Sequence, residues 1–513
     1  MTKQDRILAI DQGTTSTRSI VFDNRAHSLS VARREFEQFY PEPGWVEHDA
    51  EQIWRDVVQT AREAIEQAGS PERIAGIGIT NQRETVVIWE RDTGRPVYKA
   101  IVWQDRRTSA LCQKMKADGI EETVRAKTGL LLDPYFSATK FAWILDNAPG
   151  ARDAAEAGKL ACGTIDSFLL WRLTGGRVHA TDITNACRTL LFDIHKQDWD
   201  EELLRLFRIP RAILPEVRDN STIFGETDAS LFGRPIPIGG MAGDQQAAVV
   251  GQACFEEGMA KSTYGTGCFM LLNTGTKPVM SQNRMLTTVA YRMRGQTNYA
   301  LEGSIFVAGA AIKWLRDGLH LITHASQTDD MATRIPDSHG VFMVPAFVGL
   351  GAPHWDPDAR GLICGLTLGS TSAHIARAAL ESVAFQTYDL AHAMREDGGA
   401  QARRLRIDGG MAANDWFCQF LSDMLQAEVQ RPRDLETTAQ GAAFLAGLAT
   451  GVWNDLSEVA ATWSEDRVFR PQMEANQRRT MLNGWADAVR RTLTPQVPAE
   501  TKPSIHPVSS HAA

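Results

Sequence analysis

The 513 residues hold no apolar run of the roughly 18 positions that a membrane-spanning helix needs, so no integral membrane association is expected. The opening MTKQDRILAID enters a strand-like run without the apolar stretch of an export signal. Cysteine is scarce and unpatterned: seven residues, at 112, 162, 187, 254, 268, 364 and 418, with no C-x-x-C pair. That excludes a disulfide framework and a zinc knuckle and points to a reducing, cytoplasmic setting. Positive charge is not in excess either, and a net charge of -8 argues against nucleic acid as a main partner. The familiar nucleotide signatures are missing, with no G-x-x-x-x-G-K-[ST], no G-x-G-x-x-G and no H-R-D loop. Any handling of phosphate must therefore use another backbone device.

What is present is the composition of an ordinary soluble globular protein, 43% apolar and 23% charged. The length exceeds what one core serves, so two domains with a ligand site between them are expected. The boundary is placed between Gly251 and Gly258, giving a first domain over residues 1–253 and a second over 254–493. The last stretch, 494–513, carries four prolines and almost no large apolar residue, and is expected to be disordered.

Strand-like and helical patterns alternate, which predicts an α/β fold. IDQGTTSTRSIVFD, from Ile10 to Asp23, reads as a β-hairpin with an unusually polar bend. IAGIGITNQRETVVIWERDTGRPVYKAIVWQD, from Ile74, reads as an antiparallel meander completing the same sheet. Between them, Asp49 and Gln52 resemble a capping box opening a helix that ends at Gly69. A second hairpin with a bend of small residues follows at Met259 to Gly275, so the architecture is used twice. ESVAFQTYDLAHAMRE, GMAANDWFCQFLSDMLQ and QGAAFLAGLAT read as helices packed on that second sheet.

The bends carry the candidate chemistry. Gly13 lets the backbone approach a ligand closely, the amides and hydroxyls of Thr14, Thr15, Ser16 and Thr17 can donate to phosphate oxygens, and Arg18 adds charge. Asp11 is the candidate for a magnesium shell. A hairpin that merely wants turn formers would look the same. YGTG, Tyr264 to Gly267, is a second small-residue bend suited to distal phosphates, and LRIDGGMAAND lets a planar group lie against bare backbone before a helix start. Four further places could supply a substrate pocket: Arg83 with Glu84, Trp103 with Asp105, Tyr135, and Asp244 with Gln245 at a strand end before a helix. Each has a plain structural reading too, as an exposed ion pair, core aromatics or a helix cap.

Taken together these stretches resemble the FGGY family of carbohydrate kinases, from Arg6 to about Arg491. YFSATKFAWILDN and GLICGLTLGSTSAHIARAALE carry the likeness most fully. DQGTTSTR, PGWVEHD, ITNQRET, WQDRRT, AGDQQAA, KSTYGTGCFML and DGGMAAN follow in the family's order, in the form typical of its members that act on glycerol. The resemblance implies two ribonuclease-H-like domains in an actin-like ATPase fold, closing on ATP with Mg²⁺ and on a polyol in the cleft. It implies ATP-dependent phosphorylation of glycerol to sn-glycerol 3-phosphate and ADP by a homodimer or homotetramer. By the same carry-over, Thr14, Thr15, Ser16 and Arg18 face ADP or the transferring group, with Asp11 near Mg²⁺. Thr266 is their counterpart in the second domain, while Gly309, Gly410 and Asn414 line the nucleoside side. Glycerol is held by Arg83, Glu84, Tyr135, Asp244 and Gln245, with Trp103 and Phe269 against its carbons, and Asp244 takes the proton.

Two departures accompany the likeness. Lys313 stands where relatives often carry Gln near the nucleotide, and it is kept as a nucleotide-site candidate. FGETDASLFGRP, Phe224 to Pro235, lacks both the glycine-rich basic loop that binds fructose 1,6-bisphosphate and the loop histidine phosphorylated in some relatives, so neither regulation is expected. The nearest alternative is a family member acting on another polyol or ketose. From a different class, an actin-like or chaperone-like nucleotide switch would need no polyol pocket.

Overall fold

The computed structural model describes residues 4–398 and 404–495. The expected disordered tail lies outside the described residues from position 496 onward, and at its start the Thr494 amide donates to Asp356 at 2.7 Å.

Two sheets built to one plan dominate the chain. The first runs Ser221–Glu226, Pro237–Gly243, Ile74–Asn81, Arg6–Gln12, Ser16–Phe22, Ser28–Glu35. The second runs Leu286–Met293, Gln296–Ile305, Cys268–Gly275, Ala260–Tyr264, Arg404–Asp408, Glu428–Pro432, Glu465–Phe469. In each, a first strand pairs antiparallel with the hairpin partner that follows it, and that partner pairs antiparallel with a third strand. On its other side the first strand pairs parallel with a later one, which pairs parallel with the next. Helices cover both sheets, which explains why Ile7 to Ile10 are buried on both faces rather than alternating. The doubled plan is the actin-like ATPase fold, two ribonuclease-H-like units in one chain.

The meander expected after Ile74 is not formed. Ile74–Asn81 does join the first sheet, but in the middle and parallel to Arg6–Gln12. Val86–Glu90 and Ala100–Ile101 instead belong to a separate four-stranded sheet with Glu47–His48 and Leu160–Thr164. The turn between them redirects the chain: the Gln82 amide donates to the Gln12 carbonyl at 2.7 Å and Glu84 adopts a left-handed φ of 60°. All eight residues of IAGIGITN are buried, and such a run carries no period that distinguishes a central parallel strand from an antiparallel one. The capping box is also incomplete. Asp49 caps the helix Ala50–Gln67 by accepting from the Glu51 amide at 2.9 Å, and Gln52 has no part in it.

A second correction concerns QGAAFLAGLAT. Its helix, Thr437–Thr450, packs on the first sheet and not the second, because glycines there clear a path for it. A Cβ on Gly78 would overlap the Ala442 carbonyl, one on Gly240 would lie 2.5 Å from the Ala446 nitrogen, and one on Gly76 would lie 2.8 Å from Thr450 Cγ2. The same helix crosses the helix Asp244–Gly251 at a pair of glycines, where a Cβ on Gly251 would overlap the Thr437 carbonyl and one on Gly441 the Ala247 carbonyl. These two helices, one leaving each sheet, form the seam between the halves. ESVAFQTYDLAHAMRE lies within Ser372–Glu396 and packs in the second core, as expected.

Gly441→Ala is therefore expected to destabilise the protein by about 1–3 kcal/mol through overpacking. Gly369→Ala, whose Cβ would find its nearest neighbour at 3.8 Å, serves as the control and should stay within about 0.5 kcal/mol. Thermal denaturation of the two variants, side by side, checks this.

Candidate active site

The first bend is tight and buttressed from behind. The Gly13 amide donates to the Ser16 carbonyl at 3.0 Å. Gln82 Nε2 donates to the Gly13 carbonyl and to Gln12 Oε1, both at 3.0 Å, and Gln38 Nε2 donates to the Thr14 carbonyl at 3.0 Å. Gln38 is fixed in turn by the His48 ring at 2.6 Å. Burial drives that imidazole down to about 3, so it stays neutral. With carbonyls drawn back by glutamine amides, the bend keeps Thr15 exposed and Thr14 half-buried. Arg18 extends from the following strand and joins the two halves, donating to Asp11 on one side and to Glu436 Oε2 at 2.6 Å on the other.

Beside the bend lies a buried cluster of charge. Arg83 donates to both oxygens of Glu302, at 2.6 and 3.1 Å, and Arg188 donates to Glu302 at 2.9 Å and to Glu84 at 2.7 Å. Burial would raise the Glu302 carboxyl, but Arg188 and Arg83 overrule it and hold it at about 2. Arg83 Nη2 also donates to the Tyr135 hydroxyl at 3.4 Å, and its Nε stands 3.3 Å from Asp244. Asp244 keeps 32% of its side chain open. Its low-dielectric surroundings push the carboxyl up to about 6, with Glu84 adding to the rise and Arg83 and Lys261 opposing it.

The structure thus brings the expected pocket residues together. The Gln245 amide donates to Asp244 Oδ1 at 2.7 Å, and the Gln245 side-chain oxygen accepts from Lys261. Tyr135 meets Trp103 edge-on with ring centres 5.6 Å apart, and the Arg83 guanidinium lies 5.8 Å from the Phe269 ring. Trp103, Tyr135 and Phe269 are each half-buried, so none is a plain core aromatic. Trp103 Nε1 donates to Thr14 Oγ1 at 2.9 Å, tying this pocket to the bend. Asp105 stands apart: it pairs with Arg107 at 2.8 Å and accepts from the Val46 amide at 2.6 Å in a buried network of its own.

On the second sheet, Thr266 is exposed at its bend, and its carbonyl accepts from the Ala308 and Ala310 amides at 3.0 Å each. Gly309 starts the helix Gly309–Asp317 so close to this bend that a Cβ would lie 2.6 Å from the Gly265 carbonyl. Gly409, at a φ of 86°, presses on the Tyr264 backbone, while nothing lies within 4 Å of a Cβ built on Gly410. Asn414 caps the helix Asp415–Leu425 by accepting from the Phe417 amide at 2.7 Å and donates to Thr328 at 3.3 Å. Lys313 is exposed on its helix and makes no hydrogen bond or ion pair among the described residues. No group of three or more His, Cys, Asp or Glu side chains among the described residues is placed to hold a metal ion.

Three charged residues central to this geometry were not singled out from sequence: Arg188, Lys261 and Glu302. Glu302 and Lys261 each interrupt an otherwise buried strand, QTNYALEGSI and AKSTY. A charge at such a position demands a partner, and that is the signal that could have found them.

The N-terminal domain model of the FGGY family of carbohydrate kinases matches residues 6–251, and its C-terminal domain model matches residues 260–450. A protein named glycerol kinase from Gluconobacter oxydans (strain 621H) is 72% identical over 513 residues, covering 100% of both chains. Another of that name from Rhodospirillum centenum is 61% identical over 487 residues, 95% of this chain and 98% of the relative. Among solved structures, Plasmodium falciparum glycerol kinase with ADP aligns with a TM-score of 0.91 at 39% identity, over 96% of this chain and 99% of that one. The chain belongs to the FGGY family of carbohydrate kinases.

Proposed function

We propose that this chain transfers the γ-phosphoryl group of ATP to a terminal hydroxyl of glycerol, giving sn-glycerol 3-phosphate and ADP. The observation that carries this reading is the cluster in which Arg83 contacts Glu84, Asp244, Tyr135 and Phe269, with Gln245 beside Asp244 and Trp103 beside Tyr135. A neutral triol has hydroxyls on one side and a weakly apolar carbon edge on the other, and this cluster offers acceptors, donors and aromatic walls to match. The near-complete identity of length and the high similarity to proteins named glycerol kinase support it.

Asp244 orients the terminal hydroxyl and accepts its proton as the oxygen meets phosphorus, because it is the carboxylate of the cluster that keeps part of its surface open to the cleft. Arg83 and Glu84 hold the remaining hydroxyls, with Tyr135 and Gln245. Thr14, Thr15, Ser16 and Arg18 take the phosphates from one side and Thr266 from the other, and Gly309, Gly410 and Asn414 line the nucleoside. Phosphoryl transfer through a loose transition state depends chiefly on such positioning. Mg²⁺, when bound, neutralises phosphate charge. Asp11, a carboxylate that also accepts from Arg18, is the residue that would hold it, and one such group would suffice for an ion that takes most of its ligands from water and phosphate. Closure of the two domains, over residues 1–253 and 254–493, excludes water from the phosphoryl group. The same reading takes the enzyme to be a cytoplasmic homodimer or homotetramer, in keeping with seven free cysteines.

Two measurements test it. ADP release should be slow without a polyol and rise sharply with glycerol, and kcat/KM for glycerol should exceed that for pentuloses, hexuloses and erythritol by about 100-fold or more, the discrimination expected of a site built around specific hydroxyls. ATP turnover indifferent to glycerol would instead indicate a nucleotide switch. Asp244→Asn should lower kcat by about 100- to 10,000-fold with little change in KM for ATP. Since Asp244 sits at about 6 and acts unprotonated, wild-type kcat/KM for glycerol should climb through pH 6 and level off above it, and the Asn variant should lose that rise. An Asn variant turning over near the wild-type rate would remove Asp244 from this role.

A further inference from the structure

Lys261 is a fully buried cation at the seam of the two halves, on the strand that leads into the Thr266 bend. Its Nζ donates to Gln245 Oε1 and to Thr263 Oγ1, the latter at 3.0 Å. On the neighbouring strand stands Asp408, paired in register with Thr263. Asp408 in turn accepts from Gln252 at 2.8 Å, just beyond the end of the Asp244 helix, and from Thr437 at 2.6 Å, at the start of the crossing helix. Lys261 therefore stands among the proton acceptor, its neighbouring amide and both helices of the seam.

We propose that Lys261 is a positioning residue for the transfer: by donating to the Gln245 carbonyl oxygen it turns that amide so that its NH₂ faces the polyol, and through this residue next to Asp244 it brings a cationic side chain into that carboxylate's surroundings. The inference rests on the reading of Gln245 and Asp244 given above.

The orientation follows from hydrogen-bond inventory. A side-chain amide has an accepting end and a donating end, and an ammonium only donates, so Oε1 must face Lys261. Gln245 Nε2 donates to no protein acceptor among the described residues, which leaves it for a substrate oxygen. The charge argument follows from what surrounds Asp244. Burial raises its carboxyl, Arg83 lowers it, Glu84 raises it, Lys261 lowers it, and the Gln245 amide on its own helix lowers it further. Lys261 is itself depressed by burial, then supported by Asp408, Asp244 and Glu302 against Arg83. Removing its charge leaves Asp244 with one cationic neighbour fewer.

Lys261→Met should raise KM for glycerol about tenfold or more, the worth of a hydrogen bond to a charged group, while KM for ATP moves less than about threefold. It should also shift the acidic limb of kcat/KM to higher pH by about half a unit or more. Lys261→Arg, which keeps the charge and the donors, should return both toward wild type. In a Gln245→Ala background Lys261→Met should change KM for glycerol less than about twofold, because the two act through one contact. Full additivity in that cycle, or an unmoved acidic limb, would overturn the proposal. Should Lys261→Met not accumulate as folded protein, Gln245→Glu decides the orientation: it satisfies Lys261 but has no NH₂, so an unchanged KM for glycerol would overturn it equally. If Gln245→Ala by itself leaves KM for glycerol unchanged, the assignment of Gln245 to the polyol fails instead, a distinct result.

Discussion

The site depends on one carboxylate that crosses from the second sheet into the first half of the molecule. Glu302 is fully buried and receives both Arg83 and Arg188. Buried charge is costly unless every member is paired and hydrogen-bonded, and removing a partner leaves a penalty of about 3–5 kcal/mol. Here two guanidiniums and the two carboxylates Glu84 and Glu302 balance one another. Asp244 is the acid left over. It shares Arg83 with Glu302 at longer range, 3.3 Å against 2.6 Å. That imbalance explains why one carboxyl falls to about 2 while its neighbour rises to about 6. The pair with the best partners is locked in its charged form, and the underpaired acid is left able to exchange a proton near neutrality.

The doubled fold also sets how the two halves meet beside this cluster. Each sheet sends one helix to the seam, and the two cross at Gly251 and Gly441, where backbone meets backbone without side chains between. The contact is between main chains, and any added Cβ there would collide with a carbonyl and force the two helices apart. Asp408, accepting from Gln252 and Thr437, ties the two helices by side chain as well. Arg18 repeats the bridge at the mouth, between Asp11 and Glu436. The two halves are thus joined by polar side-chain contacts and by a glycine crossing.

How much of this was legible in the sequence follows from the kind of signal each element leaves. The hairpins are local and announce themselves by bends of small polar residues, so IDQGTTSTR and YGTG were placed without help. The residues read as polyol contacts lie in short stretches whose order resembles a family, and the structure brings Arg83 against Glu84, Tyr135, Asp244 and Phe269, with Gln245 beside Asp244 and Trp103 beside Tyr135. What the sequence hid was non-local. Ile74–Asn81 is buried on every residue and has no period to read, so its sequence does not distinguish parallel pairing from a meander. The Thr437 helix is small and apolar all round and could have packed on either sheet; glycines at 76, 78 and 240, far away in the chain, decide which. Lys313 is an expectation that rests on the resemblance alone, and its side chain is exposed.

A single hydroxyl joins the aromatic group around Tyr135 to the first bend. Trp103, edge-on to Tyr135, donates its indole N–H to Thr14 Oγ1 in the first bend. An acceptor engaged in this way has its own proton directed elsewhere, so the Thr14 hydroxyl hydrogen is free to face a phosphate oxygen. Moving Trp103 to accommodate a bulkier polyol would break that bond and loosen the bend at the same time. The opposite face of the bend is braced by Gln38, Gln82 and a neutral His48, so strain introduced at Trp103 has little room to relax. On the function proposed above, a bulkier polyol would be opposed twice, by the aromatic side chains and by loss of the Trp103–Thr14 bond.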